Sequence, residues 1–121
     1  MIATKQLPVE VLQELANEFA AGLAARAAVM QEAIDEIARE RSVDAAQRLR
    51  LTAHSLAGTA SAFDASEIVP HVERLESLGK EWQERNGVAT KSGIAVARSA
   101  LDRLVASIDD VIERLRTTGV R

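Results

Sequence analysis

Apolar residues recur along the chain at steps of three and four, the spacing that puts them on one face of an α-helix. The first such stripe runs Leu12, Leu15, Phe19, Leu23, Met30, Ile34 and Ile37, with Glu10, Gln13, Glu14, Asn17 and Gln31 on the other side. It predicts a helix over 8–40 that opens near Pro8, where a missing N–H has no helical partner to lose. Gly22 interrupts it at a cost of only about 1 kcal/mol relative to Ala. At Arg41-Ser42 the pattern breaks. Ser42 is a suitable N-cap, and Asp44 favours the helix dipole in the following turn. A second helix over 43–63 carries Leu49, Ala53, Leu56, Ala60 and Phe63.

Asp64 or Ser66 can cap a third helix over 66–85, which shows Ile68, Val72, Leu75 and then Leu78 or Trp82. Pro70 falls early in it, fixing its start or bending it. The helix ends either at Gly79 or at Asn86-Gly87. The last helix, over 91–116, has the clearest stripe: Ile94, Ala97, Leu101, Leu104, Ile108, Val111 and Leu115. Short linkers make successive helices pack antiparallel, so the expected fold is all-α, an up-down-up-down antiparallel four-helix bundle forming one domain over 1–121.

Composition supports helices. Hydrophobic residues make up 47% of the 121, but aromatic residues only 2%, so the core must come from Ala, Leu, Val and Ile. A net charge of −3 with no basic stripe argues against nucleic-acid binding, and so few aromatics leave no base-stacking platform. With no cysteine, disulfides, thiol catalysis and Cys-based metal sites are excluded. The N-terminal residues lack a signal-peptide layout, and no apolar run is long enough to cross a bilayer. The expectation is a cytoplasmic protein without membrane contact.

Two histidines are present, His54 and His71. At roughly 100° per residue, His54 lies about 140° from the core stripe of the second helix, toward solvent. Gln47, Arg50, Leu51, Gly58 and Ser61 share that face, with Ala57 to one flank. Gly58, one turn beyond His54, leaves the imidazole without a bulky neighbour there, and a helix-interior glycine invites a reason such as close approach by a partner. Periodicity goes no further, because an exposed histidine beside a glycine is usually only a surface residue. His71 sits beside the core stripe of the third helix and reads as structural or surface. Arg26, Arg39, Arg41, Arg48 and Arg74 read as solvated helix faces with acidic neighbours one turn away. Trp82 reads as core.

The stretch Ala53-His54-Ser55-Leu56-Ala57-Gly58, followed by Asp64-Ala65, resembles the AHxLKGxxxxxGA signature of histidine-containing phosphotransfer (HPt) domains. Ile68 and the Leu75-Glu76 pair follow as in that family, and the resemblance is strongest between Leu49 and Glu76. It implies that His54 is phosphorylated, with Nε2 as nucleophile, that Gly58 gives clearance for the donor, and that Leu56 and Phe63 anchor the core. An unperturbed imidazole titrates near 6.5, so much of it is neutral and nucleophilic at cytoplasmic pH. Transfer between an aspartyl phosphate and histidine is mainly in-line positioning and charge neutralisation.

The resemblance further implies a phosphoryl carrier without an independent active site. Its partners would be response-regulator receiver domains, a sensor histidine kinase, or both. The chain would need no cofactor of its own, because Mg²⁺ comes with the receiver. Docking is expected on the exposed face of the second helix, through Gln47, Leu51, Ala57, Gly58 and Ser61, with the chain acting as a monomer. Two positions depart from the signature. Ala57 stands where the family places Lys, and Asp64 where it places Gly. Arg50, one turn before His54 and about 40° round the same face, is the candidate to supply the missing cation. The competing readings are a pseudo-HPt that binds receiver or kinase domains without phosphotransfer, and a plain helical adaptor.

Overall fold

In a computed structural model the chain is described over residues 8–62 and 65–120. It forms α1 (Val9–Arg39), α2 (Val43–Ala62), a 3-10 turn (Ser66–Ile68), α3 (Val69–Glu84) and α4 (Lys91–Val120), with no strand among the described residues. Each helix packs on its two neighbours in a ring, α1 on α2, α2 on α3, α3 on α4 and α4 on α1, with no diagonal contact among the described residues. That ring, joined by short connections, is the expected four-helix bundle.

The stripes read from the sequence meet at its axis. Phe19, Leu23, Met30, Ile34 and Ile37 of α1 face Leu49, Ala53, Leu56 and Ala60 of α2 with Val72, Leu75 and Trp82 of α3. Ala97, Leu101, Leu104, Ile108 and Val111 of α4 close the core. Among the described residues no polar or charged residue is buried, so burial carries no unpaired-charge penalty. Phe63 and Asp64, and the side chains of Leu12 and Leu115, lie outside the described residues.

Local signals explain the helix ends. The hydroxyl of Ser42 accepts a bond from Ala45 N at 3.0 Å and donates to Glu36 Oε2 at 2.7 Å, so it caps α2 and ties it to α1. Arg48 also turns to Glu36, at 3.0 Å, rather than to an acid of its own helix. Thr90 caps α4 in the same way, accepting from Gly93 N at 3.0 Å. Helix α3 is different. The residue at its entry, Ile68, makes no side-chain cap bond, and a 3-10 turn starting at Ser66 leads into it with Pro70 in the first turn. The proline therefore fixes the start, and Ser66 does not cap.

At its other end α3 continues through Gly79 to Glu84, and the chain leaves through Asn86 at φ 59° and Gly87 at φ 81°. A Cβ on Gly87 would stand 2.4 Å from the carbonyl carbon of Ser42, and Gly87 O accepts from Ser42 N at 3.2 Å. Both connections thus meet at one end of the bundle.

One apolar expectation fails. Leu15 belongs to the α1 stripe but is 39% exposed. The reason is length: a 31-residue helix spans about 46 Å and the 20-residue α2 about 30 Å, so the first turns of α1 run past the end of α2. No described helix is long and apolar enough to cross a membrane.

Candidate functional site

Helix α2 carries its apolar residues on one side, mostly as alanine, and those small side chains let α3 approach closely. Gly79 marks the tightest point. A Cβ there would lie 2.8 Å from the backbone N of Arg50 and 3.1 Å from the carbonyl oxygen of Ala46. This near approach, set by residues with almost no side chain, brings the polar edges of the two helices within bonding reach.

His54 stands on that edge with its side chain 74% exposed. Its Nδ1 lies 2.9 Å from Oε2 of Glu76, one turn before Lys80 on α3. A carboxylate can only accept, so the bond requires Nδ1–H to donate. In the neutral ring that bond puts the proton on Nδ1 and the lone pair on Nε2, the nitrogen that can act as a nucleophile, on a side chain that is mostly exposed.

Because α2 and α3 run antiparallel, the next layer toward the Ser42–Gly87 end pairs Arg50 with Lys80. Arg50 and Lys80, with Gln83 and Glu84, line one open recess. Arg50 is half-buried, and its Nε donates to Gln83 Oε1 at 2.7 Å. Arg50 thus lies one turn before His54 on α2, on the side opposite Ala57, with its guanidinium turned to Gln83; His54 itself does not line the recess.

The other predicted residues divide among three surfaces. Gln47, Gly58 and Ser61 are exposed on the outer ridge of α2, and the Ser61 hydroxyl donates to Ala57 O at 3.3 Å. A Cβ on Gly58 would meet nothing within 4 Å, so nothing in the fold itself demands glycine there. Ala57 is half-buried against the edge of the core. Leu51, 48% exposed, turns the other way into a groove between α1 and α2 that it shares with Gly22, Ala25, Arg26, Val29 and Ser55. His54 is thus flanked by an apolar groove on one side and a charged recess on the other. Among the described residues no three metal-ligating side chains come together.

Two residues of this edge were not singled out from the sequence. Glu76 figured only as half of a Leu-Glu pair, and Lys80 not at all. A signal for both existed: Glu76, Lys80 and Gln83 form a polar stripe at steps of four and three beside the apolar Leu75, Gly79 and Trp82. What was missing was the register that sets this stripe against His54 and Arg50.

No curated protein and no solved structure matches the chain. Among protein families, residues 9–117 match the Hpt domain, from the first turn of α1 to the last turns of α4. With the four-helix ring described above, that match over nearly the whole chain shows that it belongs to the Hpt domain family.

Proposed function

We propose that this protein is a phosphoryl carrier of a two-component phosphorelay, accepting the group on His54 Nε2 and passing it to another receiver domain. Hpt domains have a phosphotransfer role in two-component signalling, as carriers rather than enzymes. The observation that carries the reading for this chain is the exposed imidazole held through Nδ1 by Glu76, with Nε2 open to a partner.

The chemistry balances without a further co-reactant. The Nε2 lone pair attacks the phosphorus of an aspartyl phosphate, the N–P bond forms, and the acyl P–O bond breaks, returning a carboxylate to the donor. The ring then carries positive charge, which the Glu76 carboxylate offsets from the far nitrogen. Reversal onto a second aspartate releases the neutral ring. Arg50 and Lys80 replace the lysine that the family places at the position of Ala57, approaching the phosphoryl oxygens from the opposite side. Mg²⁺ would come with the receiver.

Docking would use the ridge of Gln47, Gly58 and Ser61, with the apolar Ala57 and Leu51 on its two flanks. In this reading the chain acts as a cytoplasmic monomer that meets receiver domains, a sensor histidine kinase, or both.

The test is phosphotransfer from a panel of phosphorylated receiver domains with Mg²⁺, comparing wild type with His54→Gln. Acid-labile label on wild type alone is the expected result. Receiver binding without label would overturn it in favour of the pseudo-HPt reading, which Ala57 favours. Arg50→Gln with Lys80→Gln should slow uptake roughly tenfold or more, because charge-assisted contacts to phosphate are among the stronger hydrogen bonds.

A further inference from the structure

Helix α3 presents a second polar edge, away from His54. Residue 74 lies about 200° round the helix from Glu76, so this edge faces α4 rather than α2. His71 and Arg74 of α3 and Ser99 and Arg103 of α4 line a recess of about 230 Å³ together with Val96 and Ala100. The two helices run antiparallel, and these residues repeat at three and four on each, so the two short rows face one another across the groove. Ala100 is buried, and its small side chain leaves the space open.

The charge here is uncompensated. Arg74 does not have the acidic neighbours expected from a solvated helix face: one turn either way stand Pro70 and Leu78. Arg103 has Ser99 and Ser107 in the corresponding places. No acidic side chain lines the recess. The nearest acid one turn from His71, Glu67, is engaged by Arg114, with contacts that include one of 3.3 Å. Among the described residues His71, Arg74 and Arg103 make no hydrogen bond or ion pair, although the chain as a whole carries net negative charge. Three arginines elsewhere in the bundle pair across helices, Arg48 with Glu36, Arg98 with Asp35 and Arg114 with Glu67, while Arg39 and Arg41, like Arg74 and Arg103, make no ion pair among the described residues.

We propose that this recess is a binding site for a phosphate-type oxyanion, distinct from the phospho-acceptor histidine. The donor set favours phosphate over a lone carboxylate. Two guanidinium forks, a hydroxyl and an imidazole N–H offer more donors than one carboxylate can accept, and two fixed positive charges match a dianion. Ser99 lines the recess together with the cationic groups, and the buried Ala100 closes it on the side of the core. The phosphoryl source is either a free phosphate or a phosphorylated side chain of another protein.

Amide and arginine Nε NMR shifts of the full chain, titrated with inorganic phosphate at constant ionic strength, test the assignment. Parallel titrations use acetate and a phosphoserine peptide with its unphosphorylated counterpart. Saturable shifts centred on residues 71, 74, 99 and 103 are expected, with acetate much weaker. Arg74→Gln with Arg103→Gln should reduce phosphate affinity roughly tenfold or more without moving the unfolding midpoint appreciably. Tighter binding of the phosphopeptide than of free phosphate would assign the site to a phosphorylated partner, and equal or weaker binding to the free ion. The proposal is overturned by shifts that fail to saturate, by saturable shifts that survive in the double variant, or by shifts confined to residues 50, 54, 76 and 80.

Discussion

Two glycines on the facing helices α2 and α3 should respond to alanine with opposite signs. At Gly79 a Cβ would stand 2.8 Å from Arg50 N and 3.0 Å from Arg50 Cα, roughly 0.6 Å inside ordinary contact. Both obstructing atoms are backbone, so α3 itself must recede from α2. Overpacking of that kind costs about 1–3 kcal/mol. Alanine also recovers about 1 kcal/mol of helix propensity, so Gly79→Ala should lose up to about 2 kcal/mol in all. At Gly58 a Cβ meets nothing within 4 Å, so Gly58→Ala should show the propensity gain alone, about 0.5–1 kcal/mol. Because that gain is common to both, the difference between the variants isolates the helix contact.

Urea unfolding followed by circular dichroism measures both, with an unchanged slope as the sign that only stability has moved. In thermal unfolding each kcal/mol should appear as roughly 4 °C for a domain of this size. There is a functional corollary. The His54–Glu76 bond lies one turn from the Gly79 contact on the same two helices, so a receding α3 should also slow the phosphoryl uptake proposed for His54. A difference between the variants below about 0.5 kcal/mol, or a stabilised Gly79→Ala protein, would refute the claim that close α2–α3 approach builds the site.

Two further outcomes follow from single contacts. Ser42→Ala removes the α2 cap and the hydroxyl bond to Glu36, and should cost about 1 kcal/mol in the same unfolding assay; an unchanged midpoint would show that the corner is held by the Gly87 contacts alone. Asp35 and Glu67 should make stability fall in acid. The Arg98 hydrogen bond holds the Asp35 carboxyl below the usual carboxylate range, and the Arg114 hydrogen bond does the same for Glu67. The unfolded chain therefore takes up these protons at higher pH than the folded one, so their contribution is complete above about pH 5 and is lost as pH falls through the folded values. Since the pairs are well exposed, each is worth less than about 1 kcal/mol. Asp35→Asn should flatten that part of the urea midpoint–pH curve, and an acid limb identical to wild type would count against the assignment.

The sequence by itself determined the four helices and the histidine that defines the candidate site. Periodicity is a local property: Leu49, Ala53, Leu56 and Ala60 mark the inner face of α2 wherever that helix is placed, and His54 is then outside. The Ser42 cap was equally legible, because its partner lies three residues away. The start of α3 was less so, since Pro70 and a 3-10 turn set it where a side-chain cap at Ser66 was expected. The tertiary structure alone decided what surrounds the imidazole. Glu76, Lys80 and Gln83 reach His54 and Arg50 only through the antiparallel register of α2 on α3, and that register depends on Gly79 having no side chain to hold the helices apart. It also decided that Leu15 stays exposed, because burial needs an opposing helix and α2 stops short of it. Pairing across helices is likewise why Arg74, taken for an ordinary surface residue, stands with His71 and Arg103 around an unneutralised recess. Spacing along one helix fixes which face a residue occupies, and only packing fixes what that face meets.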